Sequence, residues 1–172
     1  PNGFTRHEVD AMTYHPKFGG GGDSTTRTFE KTLSDFSYDL GLIRLKTAIT
    51  DIKPLPVGAH SGNYRDKCTL VGYGFDSAGN NPGFLRKRTA KSAILRLIND
   101  HTEVVNASLQ GDAAKGDSGS PLLCDEGVVR GVYSFFFGST NVDDRDFYAH
   151  TADKRPWVNE IAAKWNVTGI AQ

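Results

Sequence analysis

Long hydrophobic runs are missing from this chain: no apolar stretch approaches the roughly 18–20 residues that cross a bilayer as a helix. Neither sign of charge is in excess, since Lys+Arg and Asp+Glu number 20 each. No broad electrostatic field therefore argues for nucleic acid or an anionic membrane as partner. Cysteine is scarce. Cys68 and Cys124 form an even but sparse set, which leaves open one bridge or two unrelated buried thiols. The first residues, Pro1-Asn2-Gly3-Phe4, lack the basic-then-apolar layout of a signal peptide, so export is not legible there. No metal-ligand spacing and no internal repeat is present, and no cofactor is implied.

What is present suits a soluble globular chain. It has 172 residues, 38% hydrophobic and 23% charged, enough to bury a real core. Gly19 to Gly22 followed by Asp23-Ser24-Thr25-Thr26 reads as a surface loop. Residues 40–45 read as an apolar strand, and Pro54-Leu55-Pro56 with Gly58 then breaks regular structure. Residues 68–74 make a second strand ending in glycines, and 122–124, 128–137 and 147–149 continue a β pattern with turns between them. Trp157, Val158, Ile161, Ala162 and Trp165 fall at helical spacing, with Asp153 and Pro156 placed for a first turn, which predicts a C-terminal helix. Short strands otherwise dominate and point to closed antiparallel β structure. The triplets Asn106-Ala107-Ser108 and Asn166-Val167-Thr168 match the N-glycosylation pattern, a weak pointer to secretion.

One stretch carries chemistry: Gly116-Asp117-Ser118-Gly119-Ser120-Pro121. A serine hydroxyl is a poor nucleophile unless a base takes its proton and donors stabilise the oxyanion it creates. Small neighbours let the backbone turn tightly and aim its N–H groups at a substrate carbonyl. Alone, the tetrapeptide 116–119 reads more readily as a surface turn.

Further stretches resemble the trypsin/chymotrypsin family of serine proteases. Tyr38-Asp39-Leu40-Gly41-Leu42-Ile43-Arg44-Leu45 is similar to the strand that carries the family's triad aspartate. Cys68-Thr69-Leu70-Val71-Gly72-Tyr73-Gly74 resembles the signature opening its second barrel. The family's partner for that cysteine lies six residues past the nucleophile, which here is Cys124. The resemblance thus implies a Cys68–Cys124 disulfide, worth roughly 3–4 kcal/mol on the chain-entropy model, and an oxidising compartment, extracellular or periplasmic. Gly131-Val132-Tyr133-Ser134-Phe135 resembles the strand that binds substrate backbone, and 147–151 with Pro156-Trp157-Val158 resembles the last strand and terminal helix. The similarity runs in order from about Tyr14 to Asn166.

The resemblance implies an all-β, two-barrel fold. Residues 1–52 would be the C-terminal portion of the first barrel, 53–67 a linker, and 68–172 a complete second barrel with a C-terminal helix. It implies Ser118 as nucleophile, Asp39 as the carboxylate orienting the catalytic imidazole, and the amides of Gly116 and Ser118 as the oxyanion hole. Asp117 would pair with an α-amino group released when a zymogen is cut. Asp112, six residues before the nucleophile, implies cleavage after Arg or Lys. Ser134, Phe135, Phe136 and Asp146 would line the same pocket. Phe136 and Asp146 stand where the family has wall glycines, so a ring would narrow the pocket and two carboxylates would share it, raising one pKa. Ala114 replaces a cysteine that would staple the pocket walls.

The family's catalytic histidine precedes the aspartate in an Ala-Ala-His-Cys-like segment that this sequence does not contain. Before Asp39 stand only His7 and His15, and His15 in Tyr14-His15-Pro16 resembles a later, non-catalytic His-Pro. His60, His101 and His150 follow the aspartate. The expectation is an endopeptidase acting on protein or peptide substrates, and meeting protein inhibitors in the same cleft. Its histidine would be supplied by an N-terminal segment or light chain of the same precursor. The alternative is a non-catalytic homologue that binds proteins.

Overall fold

The computed structural model describes residues 5–20, 28–60, 62–75, 87–99, 101–106 (backbone only for 102–106), 113–125, 127–137 and 145–167. Ten elements run in the order β1 (Val9–Tyr14), α1 (Phe29–Asp35), β2 (Gly41–Leu45), β3 (Lys67–Gly72), β4 (Arg88–Ile98), β5 (His101–Asn106), β6 (Pro121–Cys124), β7 (Val128–Phe137), β8 (Arg145–His150) and α2 (Arg155–Lys164). The strands form two bodies of unequal size. β1 and β2 make a two-stranded antiparallel sheet, and the other six close a barrel in the order β3-β4-β5-β8-β7-β6. The chain is mostly β with a short C-terminal helix, the class expected from the sequence.

Alternation builds the barrel. Cys68 and Leu70 on β3, Ile94 on β4, Leu122 and Cys124 on β6, Tyr133 on β7 and Tyr148 on β8 meet as one buried cluster. Every pairing around the barrel is antiparallel, and β3 meets β6 with Cys68 opposite Cys124. The two cysteines are disulfide-bonded, 56 residues apart in sequence. The bridge implied by resemblance is present.

α2 docks the barrel on the smaller sheet. Trp157 and Val158 pack on Leu40, with Leu42 of β2 and Val132 of β7 beside them. Burying each of those two side chains is worth about 1.5–3 kcal/mol. Pro156 occupies the first turn, where its missing N–H costs nothing, while the N-cap position is Lys154 and makes no side-chain cap. An apolar cleft of about 460 Å³ lies between β2 and α2, far in sequence from Ser118 and lined by Leu42, Leu45, Ala162 and Trp165 among others. The smaller sheet also leaves apolar side chains in solvent, Met12 at 73% and Ile43 at 61% exposure.

α1 was not foreseen. Thr28 caps it, its hydroxyl accepting from Lys31 N–H at 3.2 Å, and Glu30 sits in the first turn where the helix dipole favours it. The helix buries Leu33 against Phe135 and Phe147, and Phe29 against Phe137 and Phe147. It thereby ties the residues before Asp39 to β7 and β8.

Candidate active site

Asp39 lies between α1 and β2. Its N–H donates to Phe36 O at 3.2 Å, continuing the turn that ends α1. Across the interface, Ser134 Oγ on β7 donates to Asp39 Oδ2 at 2.6 Å. A hydroxyl donating to a carboxylate is a charge-assisted bond, stronger than a neutral one and favouring the ionised acid. It brings together two residues that the sequence placed separately, one as triad aspartate and one as substrate-strand serine.

The Ser118 turn is fixed to the same strand. Gly119 N–H donates to Tyr133 O at 3.0 Å and Tyr133 N–H donates to Ser120 O at 2.8 Å. Ser118 is therefore held by a turn bonded to Tyr133, whose neighbour Ser134 holds Asp39. Gly116 at φ +96° and Gly119 at φ +84° adopt the left-handed conformations this turn requires. Ser118 is exposed, and neither its Oγ nor the amides of Gly116 and Ser118 have a hydrogen-bonding partner among the described residues. Free, exposed donors flanking a hydroxyl are what an oxyanion site needs.

Asp117 turns inward. Its Oδ1 accepts from Gly74 N–H at 2.6 Å and its Oδ2 from Ala114 N–H at 2.8 Å. The carboxylate lies flat on the Gly72-Tyr73-Gly74 segment: a Cβ built on Gly72 would stand 2.0 Å from Oδ1, and one on Gly74 2.6 Å from Cγ. Side chains at 72 and 74 would expel the aspartate, a physical reason for glycine at both places.

Of the residues expected to line a substrate pocket, Asp112 lies outside the described residues. Phe135 is buried against Phe36, Phe147 and His101. Phe136 is 53% exposed and directly opposite Asp146 in the strand register. Asp146 is 2% exposed, and its Oδ2 accepts from Ala113 N–H at 3.3 Å. A buried carboxylate thus sits beside Ala113.

No histidine hydrogen-bonds Ser118 among the described residues. His15 is buried, stacked on Tyr38, and its Nδ1 accepts from Lys17 N–H at 3.2 Å. His101 is buried with Nε2 3.1 Å from Phe36 O; a carbonyl only accepts, so that nitrogen carries the proton. His150 is buried too, and burial pushes its pKa below the ordinary value of 6.5, helped by Lys154 and His101 and opposed by Asp153 and a backbone hydrogen bond with His101. His7 and His60 are exposed. Among the described residues no cluster of His, Cys, Asp and Glu is arranged to hold a metal ion, and no helix is long and apolar enough to cross a membrane.

The chain is similar to several known proteins. A renal glandular kallikrein of Mastomys natalensis is 30% identical over 151 residues, covering 75% of this chain and 55% of the kallikrein. Snake venom serine protease homolog 1 of Trimeresurus stejnegeri is 27% identical over 149 residues, covering 77% of this chain and 57% of its own. The chain spans about half the length of these two relatives. Among solved structures, neuropsin, a serine protease of mouse brain, superposes with a TM-score of 0.70 at 21% identity, over 90% of this chain and 71% of neuropsin. A family model described as Trypsin matches residues 6–158. The chain belongs to the trypsin family of serine proteases.

Proposed function

We propose that this chain provides the nucleophile, the aspartate and the oxyanion site of a secreted serine endopeptidase, whose general-base histidine comes from an N-terminal segment or light chain of the same precursor. The observation that carries the reading is the 2.6 Å Ser134–Asp39 hydrogen bond, on the strand to which the Ser118 turn is bonded. Peptide bonds are the substrate class of the family. The side of β7 facing β6 is strand-paired only as far as Val132 among the described residues. An extended substrate would add its backbone beyond that point, at Ser134 to Phe136.

In the reaction, the histidine takes the proton of Ser118 as Oγ attacks the scissile carbonyl. Asp39 holds the imidazole and stabilises its cation, while the N–H groups of Gly116 and Ser118 receive the oxyanion. Collapse of the tetrahedral adduct expels the amine, which takes the histidine's proton, and water then hydrolyses the acyl-enzyme. Asp117, bonded to Gly74 and Ala114, shapes the oxyanion turn. An α-amino group released by zymogen cleavage would add an ion pair to the same carboxylate. Asp112 would pair with a basic P1 side chain, and Phe136 would shape the pocket mouth. The family and its venom relative support an extracellular site of action.

Digestion of a peptide library by the complete, mature protein tests this. Cleavage after Arg and Lys that Ser118→Ala abolishes is the expected result; preference for large apolar residues overturns the basic specificity. A second reading, a non-catalytic homologue binding proteins through the same cleft, draws on one observation. Ser118 makes no hydrogen bond to any of the chain's five histidines.

A further inference from the structure

Tyr38, immediately before the proposed catalytic aspartate, has φ +60°. A bulky L-residue adopts that left-handed conformation only where its surroundings impose it. They do so from several sides. His15 stacks on the ring, centroids 4.5 Å apart and planes at 21°. The ammonium of Lys154, only 1% exposed, lies 5.2 Å from the ring centroid, and that of Lys17 lies 5.1 Å away. His15 is itself backed by Trp157, at 4.9 Å. The backbone is gripped as well: Leu40 N–H donates to Tyr38 O at 2.7 Å and His15 N–H to Leu40 O at 2.9 Å.

We infer that Tyr38, clamped by His15 and Lys154, is a positioning residue that aims the Asp39 carboxylate at Ser134 and the catalytic imidazole. The physical reason is local. The left-handed residue reverses the chain between the last turn of α1 and the start of β2, so the direction of the Asp39 side chain follows from φ at Tyr38. The ring is the handle by which the segment after β1 and the segment before α2 hold that value. Lys154 is the cation closed in with the ring, its ammonium also paired with Asp153 at 3.3 Å, and cation–π attraction is strongest away from water. The inference rests on the catalytic reading of Asp39, but the geometry it describes can be measured apart from activity.

Two variants separate ring from backbone. Tyr38→Phe keeps the stack and the cation–π face. Tyr38→Gly permits the left-handed conformation but removes the handle. In the complete protein, Tyr38→Gly is expected to slow fluorophosphonate labelling of Ser118 by about tenfold or more. It should also raise the midpoint of the Asp39 carboxyl titration, read by carbon-13 NMR, by about one pH unit as the Ser134 bond loosens. Tyr38→Phe restores both to within about twofold and a few tenths of a pH unit of wild type. A folded Tyr38→Gly with a wild-type Asp39 midpoint overturns the inference. Should that variant fail to fold, Lys154→Met decides instead: the Asp39 midpoint rises, or the clamp has no role. A wild-type protein that takes no label removes the catalytic reading, while the NMR comparison still judges the positioning.

Discussion

Ser134 Oγ and Asp39 Oδ2 meet at 2.6 Å across 95 residues of sequence, joining β7 of the closed barrel to the segment just before β2. The bond links the Ser118 turn to the aspartate, since Ser134 follows the residue that anchors that turn. Ser134→Ala removes the donor and leaves a half-buried carboxylate short of one partner. The expected loss is about 1–3 kcal/mol of stability, measured by urea denaturation. An unchanged midpoint would mean that the bond contributes nothing in solution.

Asp117 and the glycines beneath it give a second prediction. Gly74→Ala puts a methyl 2.6 Å from the Asp117 carboxyl carbon, and overpacking of this kind costs about 1–3 kcal/mol. Because Asp117 belongs to the Ser118 turn, labelling of Ser118 should fall with it. Gly19→Ala is the control, its Cβ meeting nothing nearer than Asp35 O at 3.9 Å. Equal behaviour of the two variants in thermal melts and labelling would refute the packing role of Gly74.

Cys68 and Cys124 are bonded and nearly fully buried, at 3% and 1% exposure. Replacing both with alanine reopens the loop between them, with an expected loss of about 4 kcal/mol on the chain-entropy model. Equilibrium denaturation of the double variant against wild type, both non-reduced, measures it. A difference below about 1 kcal/mol contradicts the estimate.

His150 makes stability depend on pH. Its folded pKa lies below 6.5, because burial disfavours the imidazolium and Lys154 and His101 add to that effect. The unfolded chain therefore binds this proton more readily. The full contribution is present above pH 6.5 and falls away as pH drops from there toward the lower folded pKa. Thermal melts between pH 7.5 and 5 should show wild type losing stability faster than His150→Gln. Parallel curves would contradict the assignment.

Local features were legible in the sequence and long-range ones were not. The Ser118 turn, the Asp39 strand and the disulfide were expected because each is written in a few contiguous residues or a fixed count between two of them. α1 escaped because seven residues are too few for helical periodicity to show; the Thr28 cap with Glu30 behind it was the available signal. The β4–β5 hairpin escaped as well. Its strands run past the Asn99 turn, at φ +52°, without the Gly-containing dipeptides that announce tight hairpins. Glycines 72 and 74 were visible, but their reason is a carboxylate 43 residues ahead of Gly74, which only folding brings near. The left-handed Tyr38 had no sequence signal, since nothing about tyrosine favours that conformation.

The most direct test of the central claim is fluorophosphonate labelling of the complete, mature protein, with the modified residue mapped by mass spectrometry. The account predicts one adduct per molecule, on Ser118, absent from Ser118→Ala and carried by a preparation that includes a histidine-bearing segment bound to this chain. A folded, complete protein in which Ser118 takes no label would contradict it and leave the binding homologue as the reading of this cleft.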